Sequence, residues 1–63
     1  MNPKFSKGDL VSYNPGFATM KHPVWKIEVV DTYRRIYHIK LQQGAYRLRV
    51  LPFDREDKWE KLT

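Results

Sequence analysis

Cysteine is absent from the 63 residues, which excludes a disulfide framework and a thiolate metal site and leaves apolar packing and hydrogen bonding to hold the fold. Long apolar runs are absent as well: nothing approaches the roughly 20 residues of a membrane span, and no membrane association is expected. Met1 to Asp9, with Pro3, Lys4, Lys7 and Gly8 and only Phe5 as a large apolar residue, does not read as a signal peptide, so the expected location is the cytoplasm. Internal repeats, low-complexity tracts and linkers are missing too. The expectation is a single small domain over residues 1–63. A chain of this length buries only about 60% of the surface its unfolded form exposes, enough for one thin core and little strain.

The residues of catalysis are also sparse. No Ser–His–Asp or Cys–His constellation stands out, and Ser6 and Ser12 read as turn and surface residues. His22 and His38 are far apart, neither with a second ligand at metal spacing. Asp54, Glu56 and Asp57 read as capping and solvation around a helical turn rather than as a catalytic pair. No enzymatic activity, no cofactor, no metal and no small-molecule substrate are expected.

Positive charge is what the chain has in excess. Twelve Lys and Arg stand against seven Asp and Glu, a net charge of +5. Up to Phe53 there are nine basic and three acidic residues, a net +6, whereas Asp54 to Thr63 carries three against four, a net −1. A basic body with a mildly acidic tail favours anionic partners such as nucleic acid, although basic charge also serves solubility.

Strand signals follow one another along the chain. Lys7-Gly8-Asp9 is a turn leading into Leu10–Tyr13, which Asn14-Pro15-Gly16 stops. A loop of about ten residues to Pro23 then carries Phe17, Met20, Lys21 and His22. From Val24 a period of two sets Trp25, Ile27 and Val29 on one face and Lys26, Glu28, Val24 and Val30 on the other. After a turn at Asp31–Arg35, Tyr37, Ile39 and Leu41 alternate with His38 and Lys40. A tight connection at Gln42-Gln43-Gly44 leads to Tyr46, Leu48 and Val50 alternating with Arg47 and Arg49, the two strands forming a central hairpin. Pro52 ends that strand, Phe53–Asp57 reads as a helical or 3₁₀ turn, and Trp59–Thr63 as a short fifth strand. This order predicts an all-β, five-stranded, partly open small barrel with a helical turn before the last strand. Its core is expected from Val11, Trp25, Ile27, Val29, Tyr37, Ile39, Leu41, Tyr46, Leu48 and Val50.

Phe5-x-x-Gly8-Asp9-x-Val11, Val24-Trp25-x-Ile27-x-x-Val30, Tyr37-x-Ile39, Arg47-x-x-Val50-x-Pro52-Phe53 and Trp59-Glu60-x-Leu62 together resemble the small Src-homology-3-like barrels. Within these, the chain is similar to the YodC-like group of short bacterial and phage proteins. The resemblance spans nearly the whole chain and implies a fold; such barrels host nucleic-acid binders, peptide binders and assembly modules. The Asn14–Pro23 loop is longer than that group's usual first connection. The acidic first loop of the signalling domains is missing, so no proline-peptide groove is implied.

Two binding surfaces follow. Alternation predicts one basic outer sheet face of Lys26, His38, Lys40, Arg47 and Arg49, with Arg34 and Arg35 at the adjoining turn, suited to phosphates and a nucleic-acid partner. Tyr13 and Tyr33 near strand ends would add stacking faces. The same alternation also meets the ordinary need of a strand for a polar outer face. Alternatively, Phe17, Met20 and His22 would dock on a protein partner, as a phage or mobile-element factor docks on a host protein. A monomer or weak dimer is expected.

Overall fold

β-Branched and aromatic residues at every second position draw the chain into extended structure, because their side chains pack on a pleated surface and lose too much freedom in a helix. The structure, a computed structural model, describes residues 3–14 and 22–62. They form β1 (Leu10–Tyr13), β2 (Val24–Asp31), β3 (Ile36–Leu41), β4 (Leu48–Pro52), a 3₁₀ turn (Phe53–Lys58) and β5 (Trp59–Leu62). All pairings are antiparallel, and the single five-stranded sheet runs β4-β3-β2-β1-β5. β4 and β5 are therefore its two edges. The sheet curls without closing, and the 3₁₀ turn spans the gap, packing on both edge strands. β5 pairs with β1 of its own chain, Tyr13 opposite Trp59 and Leu10 opposite Leu62.

The inner face of the curl buries Phe5, Val11, Trp25, Ile27, Tyr37, Ile39, Leu51 and Trp59, with Val30, Leu41 and Phe53 packed against them. Tyr37 is the pivot. Its ring lies 4.6 Å from Phe53 and 5.5 Å from Phe5, centroid to centroid. Its hydroxyl donates to Glu56 Oε2 at 2.5 Å and accepts from the Phe5 N–H at 3.2 Å. Glu56 also accepts from the Lys4 N–H at 3.3 Å, and Lys4 Nζ donates to the Trp59 carbonyl at 3.0 Å. Glu56 is thus a tether between the 3₁₀ turn, β3 and the N-terminal segment, a role beyond the capping read from sequence. Burial first, and the bond to Glu56 second, push the Tyr37 hydroxyl from its ordinary 10.0 up to about 12.

Two register events move residues off the faces that simple alternation assigns. The first is a bulge in β2: Ile27 lies opposite Ile39 but Val29 lies opposite His38, so Glu28 is an extra residue. Val29 consequently turns outward, and Val30, opposite Tyr37, takes the inward place. The second is in the β3–β4 connection, which is longer than a tight turn. The Leu41 N–H donates to the Arg47 carbonyl at 2.9 Å, leaving residues 42–46 as the loop, with Gly44 in the left-handed region at φ +90°. Because side-chain direction alternates, this phase turns all of β4 over. Ile39 faces Arg49 and Tyr37 faces Leu51, while Leu48 pairs with Lys40 and Val50 with His38 on the outside. Tyr46, Leu48 and Val50 are thus exposed instead of buried, and Leu51 fills the core position. Leu41 is only partly buried, and β4 is an edge rather than part of a central hairpin. The turns before β1 and after β2 match the sequence reading: Gly8, at φ +93°, donates to the Ile27 carbonyl, and Asp31 Oδ1 accepts from the Arg34 N–H at 3.0 Å.

Leu51 is 4% exposed and Leu48 59%. Urea denaturation of Leu51→Ala should therefore show a loss of about 2–5 kcal/mol, and Leu48→Ala a change within about 0.5 kcal/mol. A second expectation concerns alkali. The folded state holds Tyr37 neutral to about pH 12 while the unfolded chain ionises it near 10.0, so its contribution to stability is full below pH 10 and is lost as pH rises toward 12. The gap in urea midpoint between the wild type and Tyr37→Phe should be widest below pH 10 and shrink above it.

Candidate nucleic-acid interface

The phase of β4 divides the basic residues between two faces. Lys26 and Lys40 sit directly opposite each other on the outer face, with His38 between Val29 and Val50 in the next row. The Lys40 ammonium lies 5.2 Å from the centroid of the exposed Tyr46 ring, a cation–π contact. Leucines flank the lysine pair, Leu10 opposite Lys26 and Leu48 opposite Lys40, so the outer face is mixed rather than a continuous cationic surface. Arg34 and Arg35 lie at the β2–β3 turn beside a cavity of about 370 Å³ that they share with Phe53, Asp54 and Glu56. Arg47 and Arg49 do not join the outer face, because the five-residue loop (residues 42–46) turns their side chains to the inner side. The single basic sheet face expected from alternation is not formed. Tyr33 projects from the turn almost fully exposed, away from that pair.

On the inner side, the unclosed edge leaves a groove of about 850 Å³ between β4 and the 3₁₀ turn on one wall and the end of β1 with Pro23 on the other. Its floor is apolar, made by Trp25, Leu51 and Trp59, all buried. Tyr13 stands at the rim, 38% exposed, edge-on to Trp59 at 5.6 Å and to His22 at 5.3 Å between ring centroids. The Asn14 N–H donates to the Lys58 carbonyl at 2.6 Å, and the Asn14 side-chain amide bonds Glu60, which ties the end of β1 to the strand and turn opposite. The Ser12 hydroxyl donates to the His22 carbonyl at 3.4 Å.

No family model, curated protein or solved structure matches this chain. The chemistry of the groove rests on its own residues. Arg49 comes from β4 and Arg47 immediately precedes it, Arg55 and Lys58 come from the 3₁₀ turn, and Asp54 and Asp57 alternate with the latter two. Four cations against two carboxylates leave the groove net positive. Among the described residues no group of three His, Asp or Glu side chains is placed to hold a metal ion. Such a lining can hold an anion on its cations and a flat ring against Tyr13 and His22.

Arg55 and Lys58 escaped sequence reading because they lie in the tail whose net charge is negative; only the fold of the 3₁₀ turn across the gap carries them to Arg47 and Arg49. His22, assigned by sequence to a protein-docking tip, lines this groove. Phe17 and Met20, its companions in that assignment, lie outside the described residues.

The facing lysines of the outer sheet repel each other without a compensating carboxylate opposite. Lys26→Glu should therefore raise stability by about 0.2–1 kcal/mol, with the gain shrinking as salt is added, as read from urea midpoints at low and high ionic strength.

Proposed function

We propose that this chain is a non-enzymatic module that binds single-stranded nucleic acid in the inner groove with little sequence preference. The observation that carries this reading is the convergence of Arg47, Arg49, Arg55 and Lys58 on a groove whose rim is built from the Tyr13 and His22 rings. Phosphates would lie against the cations, and a base would rest on the exposed Tyr13 ring, since stacking accepts any base while charge attracts any backbone. The volume of about 850 Å³ falls in the range of about 300–1,000 Å³ usual for ligand clefts. It suits splayed bases of one strand better than the broad surface of a duplex. Lys26 and Lys40, on the opposite side of the sheet, take no part in holding that strand. The resemblance to Src-homology-3-like barrels supports the reading at the level of fold, as a scaffold that hosts binders of several kinds.

Fluorescence anisotropy with labelled single- and double-stranded DNA and RNA tests it. If four cations meet phosphates, affinity for a single strand should fall about fifty-fold between about 50 mM and 200 mM salt. Arg47→Glu/Arg49→Glu should abolish most of the low-salt binding, whereas Lys26→Glu/Lys40→Glu, with the same change in net charge, should leave most of it. Absence of binding at low salt, or equal losses in the two double variants, would overturn the reading.

A further inference from the structure

The two sheet edges are not equally protected. At β5, the Lys4 ammonium donates to the Trp59 carbonyl at 3.0 Å, capping an edge acceptor with a long cationic side chain. No described strand lies beyond β4. Its ladder phase is defined at both ends of the β3–β4 pairing: Leu41 N–H to the Arg47 carbonyl and Phe53 N–H to the Arg35 carbonyl, both at 2.9 Å. In an antiparallel ladder, residues that exchange hydrogen bonds alternate with residues whose main-chain groups point away. Arg47, Arg49 and Leu51 therefore turn their main chain to β3, and Leu48 and Val50 present theirs outward. Pro52, the next outward position, has no N–H and closes the edge there.

The side chains along this edge alternate as sharply as its hydrogen bonds. Leu48 and Val50 are 59% and 48% exposed in the outward phase of the ladder, Val50 also bordering the groove, and Arg47 and Arg49 lie on the groove side. We infer that the free edge of β4 accepts an extended peptide strand in which apolar and acidic residues alternate, apolar side chains meeting Leu48 and Val50 and carboxylates meeting Arg47 and Arg49. Main-chain bonds to Leu48 and Val50 supply the pairing, and the two faces select the sequence. A second copy of this chain is a poorer occupant, because pairing Leu48 with Val50 across a two-fold sets Arg49 directly against its own copy. The proposal goes beyond nucleic-acid binding: it shares Arg47 and Arg49 with that reading and adds main-chain pairing to the β4 edge, which phosphates and stacked bases do not supply.

The test uses capped peptides of about seven residues, the length of a short strand. One alternates aspartate with valine, one lysine with valine, and a third is the aspartate peptide N-methylated at alternate residues. Binding is read by anisotropy and by amide hydrogen exchange at Leu48 and Val50. The aspartate peptide should bind at low salt and slow exchange at both amides, and N-methylation should weaken it about tenfold or more by deleting main-chain donors. Arg47→Glu/Arg49→Glu should exchange the preference, favouring the lysine peptide. Binding without protection of both amides, equal binding of the N-methylated peptide, or protection that rises with the protein's own concentration alone would overturn the proposal. The N-methyl comparison on the wild-type chain decides the matter even if the double variant fails to fold. Leu48 does not line the groove, so an oligonucleotide held there should leave the Leu48 amide exchanging freely while the peptide protects it, and failure of either reading leaves the other standing.

Discussion

The phenol of Tyr37 sits where β3, the N-terminal segment and the 3₁₀ turn meet. Its ring fills the inside of the curled sheet between Phe5 and Phe53, and its hydroxyl joins the Phe5 main chain to the Glu56 carboxylate. A small unclosed sheet has little area with which to hold its ends together, so a buried polar group satisfied on both sides confers specificity that apolar packing alone does not. No buried side-chain nitrogen or oxygen is left without a partner among the described residues. The groove depends on this junction, because Glu56 belongs to the same 3₁₀ turn that carries Arg55 and Lys58 to Arg47 and Arg49.

Incomplete closure is the second constraint. A closed barrel would hide both edges and fill the space over Trp25 and Trp59. Here the gap between β4 and β5 produces the inner groove and the free β4 edge together. The same segment then serves two surfaces: Arg47 and Arg49 line the groove, and its outward main chain and apolar side chains face solvent. That division of one strand is what makes the groove cationic while the outer face stays mixed.

Much of the fold was legible from residues alone. Val11, Trp25, Ile27, Tyr37 and Ile39 stand at alternate positions flanked by turn residues, and all five are buried. The 3₁₀ turn after Pro52 was legible as well, since proline ends a strand and the following charged run cannot continue one. The faces of Val29 and of β4 were not. A bulge at Glu28 and a loop of residues 42–46 each change direction by a single residue, and both residue sets of β4 can be rationalised on either face: leucine and valine as core, arginine as surface.

Composition and periodicity by themselves determined an all-β chain, the turns before β1 and after β2 and an excess of positive charge, because these follow from local backbone preference and from a count of side chains. Which cations share a surface was decided only by the tertiary structure. Strand register, the bulge and the path of the 3₁₀ turn depend on contacts between residues distant in sequence. A shift of one residue in any of them exchanges the inside of a strand for its outside.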